Sequence, residues 1–187
     1  MAKLILNGLL DRIKGRFGDI VVRKRNGSSF LSRPPTRPDV PPSAAQVDVQ
    51  NRFKLASAFA NSVAGDPVKL AFYEPLALEK KTSVFAVAMS DYLKRPRVTG
   101  IELSDYRGQI GDPVTVLATD DTQVMSVAVV IRSAAGLVLE EGAAASADGV
   151  WRYTATTALP AGETVTIEAK AKDRPGNSGT LQKPFTA

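Results

Sequence analysis

Three aspartates have the side-chain type and predicted position that suit metal chemistry. Asp120 and Asp121 lie in one predicted turn, and Asp173 lies in another. If both turns lie at the same end of a β-sheet domain, their carboxylates supply the hard oxygen ligands that Ca²⁺ prefers. Ordinary turn chemistry explains the same residues, because Asp bonds its own backbone and tolerates tight turns. A calcium site at these three residues is therefore the alternative to a purely structural role.

Catalytic chemistry has few residues to use, because the 187-residue chain contains no His and no Cys. Serine and cysteine triads are therefore excluded, as is metal ligation through imidazole or thiolate. Two pairs of ionisable residues could suggest acid–base work, Asp105 with Tyr106 and Glu140 with Glu141. Exposed strand and turn positions explain these residues at least as well as acid–base catalysis does. We therefore predict no enzyme activity, no catalytic residue and no cofactor apart from the calcium alternative.

Charge is divided unevenly along the chain, which points to a binding function. Residues 1–97 carry 17 Lys and Arg against 8 Asp and Glu, whereas residues 98–187 carry 7 against 11. Opposite charges of this kind allow copies of the chain to dock head to tail. The basic run at 23–25, with Phe30 nearby, could instead bind phosphates while the aromatic ring stacks on a base. Docking to an acidic protein surface is favoured, and nucleic acid is the alternative partner.

The basic run belongs to a predicted β-hairpin around Asn26-Gly27, a dipeptide typical of a two-residue type I′ turn. The predicted pairs are Arg25 with Ser28, Arg23 with Phe30, and Val22 with Leu31. Because a lone two-stranded ribbon is marginally stable in water, the hairpin needs another surface, which is either the chain's own C-terminal half or a neighbouring subunit. We predict that it forms an assembly interface by adding to an open sheet edge of the next subunit. The predicted interface residues are Val21, Val22, Arg23, Lys24, Arg25, Phe30, Leu31 and Arg33.

A proline strap and short helices are predicted between the hairpin and the C-terminal half. Residues 34–42 contain five of the twelve prolines, which keeps this segment extended. Helices are predicted at about 3–14, about 43–64, about 67–73 with a stop before Pro75, and about 83–94 with Thr82 as a cap. The longest helix has apolar residues at three- and four-residue spacing, which predicts one buried stripe. The stripe consists of Val49, Phe53, Ala56, Ala60 and Val63.

From residue 98 onwards, alternating residues and regular turn signals predict an antiparallel β-sandwich. Strands are predicted at 98–104, 113–119, 123–132, 136–141, 150–156, 163–172 and 178–185. Trp151 and Tyr153 are two residues apart and share a face, where core packing is favoured over a carbohydrate-binding platform. The predicted fold is therefore α+β, with a helical region at 1–96 and a sandwich at 97–187.

Motifs in the C-terminal half resemble those of immunoglobulin-like modules in bacterial surface proteins and phage structural proteins. The motifs are Trp151-Arg152-Tyr153, Pro160-Ala161-Gly162 and the closing segment 171–177. This resemblance implies an immunoglobulin-like sandwich over about the last 90 residues, and such sandwiches serve binding, spacing and assembly alike.

The N-terminal half is similar to a group of small uncharacterised bacterial proteins, and the similarity implies no particular activity. It lies in Gly15, Gly18, Val21, Arg33-Pro34, Gln46, Arg52 and Phe53.

Neither a membrane span nor a clear secretion signal is predicted. Charged residues interrupt every apolar run before it reaches the roughly 18–20 residues of a span, and the N-terminus lacks a signal-peptide pattern. We expect synthesis as a soluble cytosolic chain, with the compartment of action left open and an extracellular or virion-like particle included. The predicted function is a non-catalytic structural subunit that forms homo-oligomers or joins other structural subunits. A nucleic-acid-binding protein and an extracellular module that binds glycan or protein are the alternatives.

Overall fold

The computed structural model describes residues 2–4, 14–25, 28–36 and 40–187. The chain divides into two compact units, residues 1–44 and residues 45–187. The domain boundary that the sequence predicted near Pro96, with all helices on its N-terminal side, stays a prediction. The compact units place the helices with the C-terminal strands because hydrogen bonds tie the last helix to the loops of the sheet.

The N-terminal unit contains a four-stranded antiparallel sheet with the order β1-β4-β3-β2. Its strands are β1 (Ala2–Leu4), β2 (Gly15–Phe17), β3 (Ile20–Arg25) and β4 (Ser28–Ser32). The register of β3 and β4 confirms the predicted pairs, which are Arg25 with Ser28, Arg23 with Phe30, and Val22 with Leu31. The turn at Asn26-Gly27 lies outside the described residues.

Both outer strands of this sheet were missed by the sequence prediction. The helix predicted at about 3–14 is wrong at its start, because Ala2–Leu4 pairs with β4 as a strand; residues 5–13 lie outside the described part of the chain. β2 pairs with β3 across a turn where Gly18 has a φ of 57°, a conformation that glycine adopts readily. Three-residue segments are too short to show an alternating pattern, so pairing with neighbouring strands decides their conformation.

The second unit begins with α1 (Ala44–Ala64), α2 (Pro67–Glu79) and α3 (Val84–Leu93). The Asp66 carboxylate caps α2, as predicted, by accepting from the backbone N–H groups of Val68 and Lys69 at 3.0 and 3.2 Å. The predicted stop before Pro75 is wrong, because α2 continues through it. Ala71 and Pro75 are both exposed, so water can replace the helical hydrogen bond that proline removes.

The three helices share one apolar core. Ser83, one residue after the predicted cap Thr82, begins α3 by accepting from the N–H of Ala86 at 3.2 Å. The buried side chains of this helical core are Ala60, Val63, Tyr73, Ala77, Val87 and Ala88. The predicted α1 stripe is buried only in its second half, since Val49 and Phe53 are 65% and 57% exposed. The first half of α1 therefore extends beyond the core that covers the second half.

The C-terminal strands form a seven-stranded antiparallel sheet with the order β11-β10-β7-β8-β9-β6-β5. Its strands are β5 (Arg97–Glu102), β6 (Pro113–Thr119), β7 (Ser126–Ser133), β8 (Val138–Ala147), β9 (Val150–Thr154), β10 (Thr164–Lys172) and β11 (Ser178–Thr186). Each overlaps its predicted segment, so the α+β prediction is confirmed.

The sheet is bent and nearly closed around a second apolar core. β8 pairs first with β7 and then with β9, and the edge strands β5 and β11 contact each other. The Lys183 ammonium group on β11 donates to the Ile101 carbonyl oxygen on β5 at 2.9 Å. Core residues include Val114, Val116, Val127, Val129, Ile131, Val165, Ile167 and Ala169. Trp151 packs against this core but is only partly buried, whereas Tyr153 is buried.

Glycine at position 179 allows the two edge strands to approach. A Cβ atom there would collide with the backbone carbonyl oxygen of Pro96, which cannot move as a flexible side chain can. Gly65 is a matched control position, because its Cβ would meet its nearest neighbour at an ordinary 3.8 Å.

We expect Gly179→Ala to lower the free energy of unfolding by about 1–3 kcal/mol, because the added methyl group forces β11 away from β5. Gly65→Ala should change the free energy by less than about 1 kcal/mol. Urea unfolding followed by tryptophan fluorescence measures both. Equal stability of the two variants would contradict the close approach.

A buried carboxylate lies within the sheet at Glu140, which the sequence prediction treated as an exposed strand residue. Glu140 accepts hydrogen bonds from the Tyr153 hydroxyl, from Thr156 and from the backbone N–H of Thr157. A Cβ at Gly142 would lie against the Tyr153 ring, so glycine there makes room for this contact. Burial alone would raise the pKa of Glu140, but the hydrogen bonds outweigh it and lower the pKa below its usual value.

Because the pKa of Glu140 is lowered by folding, its contribution to stability is present above its ordinary pKa and lost as pH falls. We expect Glu140→Gln to lower the free energy of unfolding by about 2 kcal/mol at pH 7, since buried donors lose their charged acceptor. The difference in the free energy of unfolding between the wild type and Glu140→Gln should shrink below about pH 4. Denaturant unfolding across this pH range measures it, with the exposed neighbour substitution Glu141→Gln as control. A pH-independent deficit would contradict the prediction.

Candidate functional site

The strand register divides the predicted interface residues between two faces of the N-terminal sheet. Residues directly opposite each other, and alternate residues along one strand, share a face. The apolar face carries Phe17, Ile20, Val22 and Leu31, together with Lys24 and Ser29. The basic face carries Arg16, Val21, Arg23 and Phe30. Arg33 follows β4 and is exposed, and the side chain of Arg25 lies outside the described residues.

The N-terminal sheet has very little core of its own. Among its described side chains, Val22 and Ser29 are the buried ones. Phe17 and Ile20 are 57% and 49% exposed although they lie on the apolar face. Arg16 and Arg23 are exposed on the opposite face. The apolar face is therefore buried at Val22 and Ser29 and exposed at Phe17 and Ile20, while the opposite face presents exposed arginines.

A second charged surface lies within the other unit, where the helices meet the sheet. This basic cleft has a volume of about 900 Å³ and is formed by α1, the segment after α3, the β6–β7 loop and the start of β11. Its charged lining residues are Arg52, Lys94, Arg95, Arg97, Asp120 and Asp121. Four cations therefore face two carboxylates.

Several charged groups of the basic cleft already have partners. Lys94 forms an ion pair with Asp121, and Arg52 donates to the Leu93 carbonyl oxygen at 3.1 Å. Arg95 and Arg97 are exposed and make no ion pair or side-chain hydrogen bond with the described residues. The cleft therefore presents two guanidinium groups that are free to bind an anionic partner.

Beneath the basic cleft, the buried carboxylate of Asp91 joins α3 to the sheet. Asp91 is 1% exposed and accepts hydrogen bonds from the Tyr73 hydroxyl at 2.5 Å and from the Thr122 hydroxyl. Asp120 accepts from the same Thr122 hydroxyl at 2.9 Å. Burial raises the pKa of Asp91, although the hydrogen bonds from Thr122 and Tyr73 act in the opposite direction. Burial also raises the pKa of Tyr73.

Asp173 and Asn177 extend this buried network from the β10–β11 loop. The Asp173 carboxylate accepts from the backbone N–H of Asn177 at 2.6 Å and from its side-chain amide at 2.7 Å. The same amide donates to the carbonyl oxygens of Tyr92 and Lys94 at 3.1 and 3.0 Å. The loop therefore caps the end of α3. Burial raises the pKa of Asp173 as well.

The predicted calcium ligands lie in two loops at the same end of the sheet, because β6 and β10 both end there. Their carboxylates have protein partners, which are Thr122 for Asp120, Lys94 for Asp121 and Asn177 for Asp173. Across the described part of the chain, no group of three or more acidic side chains is placed to hold a metal ion. The calcium site stays a prediction.

Sequence reasoning missed Asp91, Arg95 and Arg97. Asp91 is the one acidic residue in the otherwise apolar α3 segment, which was a usable signal for a buried carboxylate. Arg95 and Arg97 flank the predicted domain boundary at Pro96. Nothing in the sequence shows that β11 lies beside this boundary, so their place in a cleft could not be predicted.

Comparisons with known proteins do not assign this chain to a family. No family model matches it, and no curated protein matches it. Among solved structures, a Br derivative of BhCBM56 has a TM-score of 0.33 and 20% identity, covering 47% of this chain and 88% of its own. A conjugative transposon lipoprotein from Bacteroides eggerthii DSM 20697 has a TM-score of 0.28 and 13% identity, covering 50% and 96%. These scores are too low to support an argument about function.

Among the described residues, no helix is long and apolar enough to cross a membrane.

The raised pKa of Asp91 predicts how the stability of the protein depends on pH. A carboxyl whose pKa is raised by folding contributes stability below its ordinary pKa and loses it as pH rises through the folded value. We therefore expect the wild type to lose stability relative to Asp91→Asn as pH rises from about 4 to 7. Urea unfolding at several pH values measures the difference. If the stability difference between the wild type and Asp91→Asn does not change with pH, the raised pKa of Asp91 is contradicted.

Proposed function

We propose that this chain is a non-catalytic structural subunit that self-assembles through its N-terminal sheet. The observation that carries this proposal is the exposure of Phe17 and Ile20, at 57% and 49%, on the apolar face of a sheet with very few buried side chains. Burying one large apolar side chain is worth about 1.5–3 kcal/mol, so covering this face with a second copy favours association.

The strand order favours contact through a face over addition to a sheet edge. The sequence analysis predicted that the β3–β4 hairpin adds to an open edge of the next subunit. β3 already pairs with β2 and β4, and β4 pairs with β1 and β3. The two edges of the sheet are therefore β1 and β2, each three residues long, and short edges are poor templates for pairing. We propose that the apolar face makes the contact.

A pair of exposed apolar residues on α1 also supports a subunit role. Val49 and Phe53 continue the α1 stripe of Ala56, Ala60 and Val63 at three- and four-residue spacing, but they lie beyond the helical core. A stripe with this spacing is typical of a helix face that packs against other helices. Its exposure in the single chain is consistent with burial in an assembly.

The proposal includes an immunoglobulin-like sandwich as the body of the subunit. The order β5-β6-β9-β8, followed by β7-β10-β11, corresponds to the ABED and CFG strands of immunoglobulin constant domains. This correspondence and the motif resemblance support the assignment. A sandwich of this kind serves as a spacer or a displayed module, while the N-terminal sheet makes the contact between subunits.

We expect the double substitution Phe17→Asp/Ile20→Asp to weaken self-association at least tenfold, because charges on the apolar face oppose its burial. Light scattering over a concentration series measures the mass of the full chain. Val68→Asp is the matched control, since Val68 is 72% exposed on α2 and lies outside the N-terminal sheet. A monomeric wild type, or unchanged association of the double variant, would refute the proposal.

Nucleic acid is the second candidate partner, favoured by the basic face of the same sheet. Arg16 and Arg23 are exposed there beside the partly buried Phe30. A band-shift assay with random duplex and single-stranded DNA separates the two candidates. Tight, salt-sensitive shifts that Arg16→Glu/Arg23→Glu removes would support nucleic-acid binding. Absence of shifts in a protein that self-associates would support the structural subunit.

A further inference from the structure

We infer that the basic cleft of one copy binds the acidic far end of the sheet in a second copy. This inference rests on the proposed self-assembly and adds a second interface to it. Both surfaces lie within the same compact unit, residues 45–187. The charged residues of both surfaces lie outside the N-terminal sheet.

The strand directions place these two surfaces at opposite ends of the sheet. β5 runs from Arg97, in the basic cleft, to Glu102, and β11 starts at Ser178 in the cleft. Six residues of strand span about 20 Å. The loops 103–112 and 155–163 meet at the far end, where the N–H of Leu159 donates to the Gly108 carbonyl oxygen at 2.7 Å.

The far end is acidic. Its charged residues are Glu102, Asp105, Arg107, Asp112, Glu163 and Lys183, so four carboxylates lie with two cations, of which the Lys183 ammonium group is bound to the Ile101 carbonyl oxygen. The carboxylates of Asp105 and Glu163 make no ion pair or side-chain hydrogen bond with the described residues. Backbone hydrogen bonds from Gln109 and Arg107 lower the pKa of Asp112, which keeps it ionised.

The loop at the acidic end is preorganised for contact. The Asp112 carboxylate accepts from the N–H groups of Arg107 and Gln109 at 2.7 and 2.9 Å, which fixes the loop conformation. Ile110 is 68% exposed between Asp105 and Asp112. An apolar tip with charged flanks matches the usual anatomy of a protein interface, which has an apolar centre and a polar rim. Its rigidity lowers the entropy cost of binding.

Charge complementarity identifies a second copy as the occupant of the cleft. The unpaired guanidinium groups of Arg95 and Arg97 are opposite in charge to the unpaired carboxylates of Glu102, Asp105 and Glu163. Because the two surfaces are different and lie at opposite ends, the contact is heterologous. Repeating such a contact produces an open filament or a closed ring.

A complementary charge swap in the full-length chain tests this inference. The cleft variant is Arg95→Glu/Arg97→Glu, and the end variant is Asp105→Arg/Glu163→Arg. Alone, each variant places like charges on both surfaces of the contact. Mixed together, every contact between the two variants again joins opposite charges. The control Lys81→Glu/Arg152→Glu makes the same change in net charge as the cleft variant, at exposed residues that do not line the cleft.

We expect each variant alone to associate at least tenfold more weakly than wild type, and the equimolar mixture to regain wild-type association. Light scattering measures the assembly, and circular dichroism confirms that each variant is folded. Arg95→Gln/Arg97→Gln provides a milder cleft variant. Unchanged association of the cleft variants, or no recovery on mixing, would overturn the inference.

The same assay separates this inference from the proposed function. If Phe17→Asp/Ile20→Asp abolishes association while both charge variants associate like wild type, the cleft contact is wrong and the N-terminal interface stands. If the charge-swapped mixture recovers while Phe17→Asp/Ile20→Asp is neutral, the cleft contact is supported and the N-terminal interface is wrong. Loss of DNA binding by the cleft variant, without a change in self-association, would assign the cleft to a nucleic acid and overturn the inference.

Discussion

The hydrogen bonds around the buried Asp91 carboxylate join the two apolar cores of residues 45–187. One core lies among the three helices and the other lies inside the sheet. Asp91 connects them through Tyr73 on α2 and Thr122 in the β6–β7 loop. A buried carboxylate is costly unless it is hydrogen-bonded, so this geometry is specified more strictly than an apolar contact would be.

The position of the basic cleft depends on this network. Asn177 binds the carbonyl oxygens at the end of α3, and this contact holds the start of β11 beside the segment that contains Arg95 and Arg97. The absence of a side chain at Gly179 lets the two backbones approach. The unpaired guanidinium groups therefore lie on a rigid support, and their position is decided by hydrogen bonds made several residues away.

The exposed apolar surfaces and the separated charges favour the same kind of function. Phe17, Ile20, Val49 and Phe53 are 57%, 49%, 65% and 57% exposed. The far end of the sheet is acidic while the cleft is basic. Apolar faces supply most of the free energy of association, whereas charges mainly select the partner and the orientation. The proposed self-assembly uses both features.

Local pattern in the sequence was sufficient for the strands of the C-terminal sheet, the β3–β4 register and the cap of α2, because alternation and turn chemistry act over a few residues. It was insufficient for β1 and β2, for the burial of Glu140, for the hydrogen-bond partners of Asp91, and for the basic cleft. These features depend on which distant segments meet: Tyr153 with Glu140, Thr122 with Asp91, and β11 with the segment after α3. Periodicity along the chain carries no information about such contacts, so only the tertiary structure decided them.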